Sequence, residues 1–438
     1  MLFLPSDCVL LPIASGALLV SRSHATFCAI PRERLPAVSE TLAGAAEVAR
    51  LDAGLGAALA RHGFFGEPRP APRHRPRVQL QLTNACNLRC GYCCTDSGTA
   101  RQGELSFEEW RAVVSEARQA FGPEVAFGLL GGEPLLVPFA LELAELIAEA
   151  GSALTIFTNG TALVDAGIAR RAAALAARGV LIRVSLAGAS RRSCDDLSGA
   201  TRFDLALAGL HELARQGPAA ADDLMLFPAD VDEIATCLPA LRSQLPAHTR
   251  INFGLAFSGG RETGGHIFAS RAALEDALDR IALLAGEAVA APPRAPLTTR
   301  REACVCALGT TLNVRSDGML YACFRMHEPA GDLRQQSFTG VAAALRANPR
   351  PARSFPPCAD CPLATLCGGG CRSDNFLVSG DAERPVCGPW RVRVLSELLA
   401  EDRVSCLEWP TRHLASEARL RGIEVPASAL PESIAATH

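Results

Sequence analysis

Six times between residues 78 and 288, a short apolar run is followed by a longer stretch with helical periodicity. The apolar runs fall at 78–83, 124–130, 154–158, 180–186, 224–228 and 250–257. The helical patterns fall at about 106–121, 137–150, 165–178, 201–215, 231–245 and 271–288. Parallel strands need a crossover between them, usually a helix, so this alternation predicts an α/β fold with a helix-covered parallel sheet. Pattern alone leaves two forms open, a curved partial barrel and a doubly wound sheet. In both, the loops leaving the strand C-terminal ends form the edge where active sites gather.

The flanks differ from this repeat. Residues 1–66 hold three short β-like runs, Val9–Ile13, Ala17–Ser21 and Ala25–Ile30, then helical patterns at about 32–48 and 52–62, which predicts a small α+β unit. The stretch 67–77 contains EPRPAPRHRP and reads as a linker before the sheet region 78–290. A second linker, APPRAP at 291–296, leads into a cysteine-rich region over 297–404 with a helical pattern at 389–402, and a tail follows from 405 to 438.

A chain of 438 residues with 49% hydrophobic residues can bury a sizeable core, and its length calls for more than one domain. Formal net charge is -3, which gives no sign of a nucleic-acid partner or an anionic membrane surface. There is no lysine, so all 43 basic residues are arginine, a bias we assign to genomic base composition. The apolar start MLFLPSDCVLLPIASGALLVS lacks a basic leading segment and is interrupted by Pro5 and Asp7, so it does not read as an export signal. No uninterrupted apolar run reaches about 18 residues, so no membrane span is expected. With 17 cysteines and no export signal, the expected setting is the reducing cytoplasm, where clustered thiols hold metal more often than they form disulfides.

The thiols are unevenly placed. Four lie in CNLRCGYCC at 86–94, directly after the first strand, and eight lie between Cys304 and Cys387. Cys86, Cys90 and Cys93 form C-x3-C-x2-C in a loop at the expected catalytic edge. A cubane iron–sulfur cluster ordinarily takes four thiolates, so three protein ligands would leave one iron open. The same logic separates open catalytic zinc sites from closed structural ones. A zinc half-site is the other use of such a loop, but no fourth tetrahedral ligand is at hand. Cys94 abuts the third cysteine and reads as a thiol packed beside the loop.

CNLRCGYC, with Tyr92 before its last cysteine, resembles the signature of the radical S-adenosylmethionine (SAM) enzymes. The resemblance implies a partial (β/α)6 barrel and a [4Fe–4S] cluster on Cys86, Cys90 and Cys93. It also implies SAM bound through its methionine moiety to the open iron, and cleavage to a 5′-deoxyadenosyl radical. Three further stretches fit it. Gly131-Gly132-Glu133-Pro134 follows the second strand and looks like the family's GGEP, in which the carboxylate can accept from the cofactor's ammonium. Asn159 in Thr158-Asn159-Gly160 ends the third strand, and Ser185 in VSLAG ends the fourth; the resemblance places both near the cofactor. After Ser185 the chain departs from the family: Ala187 and then SCDDLSGA replace the usual acidic and His-Asp…Arg-Gly stretch, which leaves Arg202 as a guess for the carboxylate-binding arginine. Asp195 and Asp196 lie near the same edge and are as well suited to capping the next helix.

The second field runs Cys306, Gly318, Cys323, then Cys358-x2-Cys361-x5-Cys367-x3-Cys371, then Cys387, and looks like the SPASM extension of that family. The resemblance implies two auxiliary [4Fe–4S] clusters. One would be held by Cys306, Cys323 and Cys371 with Cys304 as a possible fourth ligand, the other by Cys358, Cys361, Cys367 and Cys387. Relatives of this type are mostly peptide or protein maturases. The implied function is an oxidative modification, a thioether or other cross-link, on a ribosomally made peptide or protein. An electron donor such as flavodoxin or ferredoxin would serve it, and residues 1–66 would recognise the peptide by pairing it with a sheet edge. A small-molecule substrate and a non-catalytic metal-binding or electron-transfer protein are the alternatives. No general base can be named from the sequence.

Overall fold

The computed structural model describes residues 4–13, 16–43, 51–68, 75–217, 221–247, 249–257, 259–262, 265–267, 277–278, 280–281, 283, 310–326, 328–347, 351–385 and 387. The chain divides into two compact units, one of Met1–Arg73, Arg294–Leu308 and Pro349–His438, the other of His74–Pro293 and Gly309–Asn348. Among the described residues no helix is long and apolar enough to cross a membrane.

The first unit opens with an antiparallel sheet of β1 (Cys8–Ile13), β2 (Gly16–Ser21) and β3 (Thr26–Pro31), in that order, followed by α1 (Leu35–Leu42) and α2 (Ala53–His62). The Asp52 side chain caps α2 by accepting from the Leu55 N–H, and Gly63 ends it at φ 79°. The central strand β2 is buried at every position, and the pleat explains how. Leu19 joins Cys28 and Ile30 against Val38, Leu55 and Leu59 of the helices. Leu18, Val20 and Phe27 face the other way and pack on Leu363, Leu366 and Cys367. The N-terminal sheet therefore shares a core with the second cysteine field. Arg22 donates to the Ala359 carbonyl at 3.1 Å, and Thr365 donates back to the Arg22 carbonyl at 2.8 Å.

The second unit is built on a nine-stranded sheet. Its strands are β4 (Arg77–Gln81), β5 (Ala126–Leu130), β6 (Leu154–Thr158), β7 (Leu181–Leu186), β8 (Ala221–Leu226), β9 (Arg250–Leu255), β10 (Thr311–Val314), β11 (Met319–Tyr321) and β12 (Gly331–Asp332). The order is β12-β11-β10-β4-β5-β6-β7-β8-β9. From β4 to β9 every strand is parallel to the one before it and lies beside it. The order has no reversal, which excludes the doubly wound alternative and leaves the singly wound (β/α)6 arrangement.

Five helices connect or follow these strands: α3 (Phe107–Phe121), α4 (Ala140–Glu149), α5 (Ala166–Ala177), α7 (Phe203–Gln216) and α8 (Val231–Gln244), with a short α6 (Arg191–Ser198) inserted before α7. On β7, Ile182, Val184 and Leu186 are buried, whereas Leu181, Arg183 and Ser185 are half-buried. That two-residue period marks a closed helix-facing side and a partly open inner side. The sequence reading missed α6, whose eight residues are too few and too polar to show a pattern. It also missed the partners of β4. β10 pairs with β4 in parallel, and α9 (Phe338–Ala347) packs on α3, with Phe121 and Phe338 edge to face at 6.1 Å. Residues 309–348 thus belong to the sheet unit although they lie inside the cysteine-rich stretch.

Candidate active site at the cysteine loop

The loop after β4 is folded onto the rim by its own backbone. Cys86 N–H donates to Gly98 O at 3.0 Å and Gly98 N–H to Asn84 O at 2.8 Å. Arg89 and Gly91 N–H reach Ser198 O and Leu197 O of α6, each at 3.1 Å. The loop after β5 is stitched to it, Gly132 N–H donating to Thr83 O at 2.7 Å and Glu133 N–H to Ala85 O at 2.8 Å. Here the glycines find their reason. A Cβ on Gly131 would meet Thr83 O at 2.8 Å, and one on Gly132 would meet Ala85 O at 2.1 Å. Both must lack a side chain so that the two loops can touch.

Glu133 is fully buried beneath this contact. One carboxylate oxygen accepts from Leu135 N at 3.0 Å and Thr158 Oγ1 at 2.7 Å, and the other accepts from Asn159 N at 2.6 Å. Burial holds its carboxyl above the usual range, and the three donors work against that shift. The resemblance assigned this carboxylate to a cofactor ammonium, and three of its roughly four acceptor positions already serve the protein. Asn159 is similarly committed, its Nδ2 donating to Asn87 Oδ1 at 2.8 Å and its Oδ1 accepting from Thr161 N at 3.0 Å. Asn87 lies in the cysteine loop itself, so β5, β6 and the loop share one polar network. Pro134 begins a single 3-10 turn, and its fixed φ suits the turn onto which Glu133 folds back.

Above this floor lies a cavity of about 240 Å³. Cys86, Cys90, Cys93 and Cys94 line it with Tyr92, Gly131, Gly132, Glu133, Asn159, Ser185 and Arg202. These residues, named from the sequence around the first motif, therefore border one space, whereas Pro134, Asp195 and Asp196 are not part of its lining. Ser185 presents its hydroxyl from the half-open face of β7, 3.4 Å from Thr158 O. Arg202 is 1% exposed, and donates to Asn159 O at 3.2 Å and Ser185 O at 2.6 Å. No carboxylate among the described residues pairs with it, and its Nε is a buried donor with no partner. Asp195 accepts from the backbone N–H groups of Arg202 and Phe203 at 2.8 and 2.9 Å, so it caps α7 and seats Arg202. Asp196 is exposed and lies 3.9 Å from Arg192.

Burial pushes the Cys86 thiol up to about 11. For Cys93 burial also raises the value, but the Thr95 hydroxyl, the Ser97 and Thr95 N–H groups and Arg261 outweigh it and lower the thiol below its ordinary value. Arg261 escaped the sequence reading. It follows β9, far along the chain, and its backbone N–H donates to Cys93 O at 2.9 Å. Its guanidinium reaches Cys90 O at 2.9 Å, Asp96 at 2.6 Å and Ser97 O at 2.9 Å. The glycine pair before it was the available signal: a Cβ on Gly260 would lie 2.6 Å from Cys93 O. Among the described residues no three His, Cys, Asp or Glu converge tightly enough for a single metal ion. Three thiols around one cavity, with backbone N–H groups aimed at two of the sulfurs, fit a multi-iron cluster that spreads its ligands over separate irons.

In the first unit, Cys358, Cys361, Cys367 and Cys387 line a single cavity. Gly368, Gly369 and Gly370 all take positive φ, 68°, 74° and 75°, which wraps the chain between Cys367 and Cys371. Burial raises the Cys358 thiol to about 12, and the neighbouring Cys387, Cys361 and Cys367 add to the rise. Four thiols crowded onto one cavity are a donor set that gains from a bound cluster. Cys304 and Cys306 lie outside the described residues, while Cys323 belongs to the second unit and Cys371 to the first.

Residues 80–236 match the Radical SAM superfamily. The chain is 26% identical over 328 residues to a "PqqA peptide cyclase" of Streptomyces rochei, a match covering 70% of this chain and 88% of that one. It is 31% identical over 160 residues to "Mycofactocin maturase MftC" of Mycobacterium tuberculosis, covering 36% of this chain and 40% of that protein. Among solved structures it resembles "Native anSMEcpe with bound AdoMet and Cp18Cys peptide", with a TM-score of 0.54 and 16% identity over 79% of this chain and 99% of that one, a likeness of fold. The three-thiol loop, the glycine-stitched rim and the singly wound sheet thus agree with the match: this chain carries a Radical SAM superfamily domain.

Proposed function

We propose that the chain is a radical SAM maturase that installs an oxidative modification, a thioether or other cross-link, on a ribosomally made peptide or protein. One observation carries the reading: Cys86, Cys90 and Cys93 share a rim cavity with Ser185 and the buried cation Arg202, which has no carboxylate partner among the described residues. A [4Fe–4S] cluster on the three thiols would supply the reducing electron and an open iron for SAM. Arg202 would pair with the SAM carboxylate, because it is a buried guanidinium on the cavity whose Nε still has no acceptor among the described residues. Ser185 would orient the same end. Glu133 and Asn159 hold the two loops around the cofactor, Glu133 with one acceptor position left for its ammonium.

Cys358, Cys361, Cys367 and Cys387 would hold one auxiliary cluster. The set Cys304, Cys306, Cys323 and Cys371 stays the sequence's assignment for another. Such clusters would carry away the electron that oxidation of a peptide releases, and a flavodoxin or ferredoxin would supply electrons at the start. The names of the relatives, a peptide cyclase and a maturase, support a peptide substrate. The edges β1 and β3 of the N-terminal sheet offer the backbone donors and acceptors with which a leader segment could pair.

The test is mass spectrometry of a short precursor peptide co-expressed with the full chain. A mass loss of about two hydrogens that depends on Cys93 is the expected result for a cross-link. SAM cleavage with an unmodified peptide would overturn the peptide assignment and favour a small molecule.

A further inference from the structure

A second cavity of about 220 Å³ adjoins the first in the sheet unit, with Cys94 lining both. Arg101, Arg315 and Arg325 all border it. Among the described residues its lining carries one carboxylate, Asp96, and that group is already bonded to Arg261 at 2.6 Å. Arg101 is paired with Asp317 at 2.9 Å. Among the described residues Arg315 has neutral hydrogen-bond partners: it donates to the Tyr321 hydroxyl at 3.0 Å and toward Met326 O at 3.4 Å, with its guanidinium 3.8 Å from the Tyr321 ring centre. Stacking and hydrogen bonding fix the plane of that fork before any ligand arrives, which is how arginine recognises carboxylates. Arg325 lies over the Phe257 ring at 5.3 Å, and Phe257 borders the first cavity while meeting Phe324 of the second edge to face at 5.1 Å.

Among the described residues the half-buried Arg315 meets no carboxylate on this concave space, and such a cation gains when an anion joins it. The concavity suits a group the size of a carboxylate better than the flat face of a protein. We infer that this cavity is a carboxylate subsite of the maturase, resting on the function proposed above. It would anchor an acidic side chain or the C-terminal carboxylate of the peptide at Arg315 and Arg325, and so direct a neighbouring residue past Cys94 and Phe257 toward the cysteine loop. Cys94, the thiol beside the three-cysteine motif, thus forms the wall between anchor and chemistry.

The test is equilibrium binding to the full chain of three small probes: N-acetyl-glutamate α-amide, its glutamine counterpart and N-acetylglycine. Loss of one charge-assisted contact corresponds to about tenfold in affinity. The acidic probe is expected to bind at least about tenfold tighter than the glutamine probe, and Arg315→Gln should erase the difference while Arg315→Lys retains part of it. Arg325→Gln, which leaves the Tyr321 stack intact, should weaken the acidic probe in the same way. N-acetylglycine binding as well as the glutamate probe would identify a C-terminal carboxylate as the ligand; its failure would identify a side chain. Equal binding of charged and neutral probes overturns the proposal. So does loss of an acidic redox protein's affinity in Arg315→Gln without any probe binding, which would make the arginines a docking face. SAM cleavage in the absence of peptide is measured alongside, so an inactive radical centre is told apart from an absent subsite.

Discussion

Glu133→Gln separates two uses of one carboxylate. In the wild type the side chain accepts three hydrogen bonds inside a fully buried site, from Leu135 N, Thr158 Oγ1 and Asn159 N. An amide can keep its oxygen toward Leu135 and Thr158, but its NH2 then confronts the Asn159 N–H, donor against donor. The variant loses one charge-assisted bond and leaves two buried donors unpaired. At about 1.5–3 kcal/mol for such a bond, a local loss of about 2 kcal/mol is a conservative figure. Hydrogen exchange of the Asn159 amide reads this directly, with exchange about 30-fold faster in the variant at that energy. The Leu135 amide, still facing an oxygen, should change much less. If Asn159 exchanges at the wild-type rate while SAM affinity falls, Glu133 serves the cofactor rather than the loops, and its three bonds to Leu135, Thr158 and Asn159 do not carry the loop contact.

Other perturbations probe the same frame. Arg261→Gln removes a cation bonded to Cys90 O and should shift the reduction potential of the loop's cluster downward with iron content retained; an unchanged potential in a redox titration followed by electron paramagnetic resonance would count against the clamp. Gly132→Ala places a Cβ about 2.1 Å from Ala85 O and should sharply reduce iron bound at the first motif, whereas Gly151→Ala, with nothing within 4 Å, should cost only the left-handed strain of about 1 kcal/mol. Cys367→Ala should lower iron by about four atoms per chain and leave SAM cleavage intact, and unchanged iron would remove the auxiliary-cluster assignment. Burial would raise the Glu104 carboxyl, but bonds from Asn84, Thr83, Arg101 and Ser316 lower it below the ordinary range. Its stabilising effect is therefore complete above the usual glutamate range and is lost as pH falls through the lowered folded value. Glu104→Gln should flatten the acid limb of a stability-against-pH curve.

The parallel sheet was legible because its signal is local: β5, β6, β7 and β9 lie within two residues of the apolar runs at 124–130, 154–158, 180–186 and 250–257. Strand order was not local, and the sequence could not choose between winding modes without it. The site residues were readable where chemistry restricts identity, as at the three thiols. Arg202 was reachable only as a guess and Arg261 not at all, because a guanidinium that acts from a distant loop leaves no spacing to read. The glycines of the rim line the cavity, and what requires them there is the Thr83–Ala85 backbone, a long-range contact that the sequence does not display. The N-terminal segment shows a further limit. Deleting residues 1–66 looks like a clean test of peptide recognition, but Leu18, Val20 and Phe27 cover Leu363, Leu366 and Cys367, so deletion would also expose the second cysteine field. Proline substitution on the edge strands β1 or β3 is the better perturbation.

The central claim is that Cys86, Cys90 and Cys93 support reductive SAM cleavage, with Cys94 outside that set. Quantifying 5′-deoxyadenosine from anaerobically reconstituted full-length chain, beside Cys93→Ala and Cys94→Ala, tests it most directly. The account predicts product from the wild type and from Cys94→Ala, and none from Cys93→Ala. No product from the iron-loaded wild type, or an active Cys93→Ala beside a dead Cys94→Ala, would contradict it.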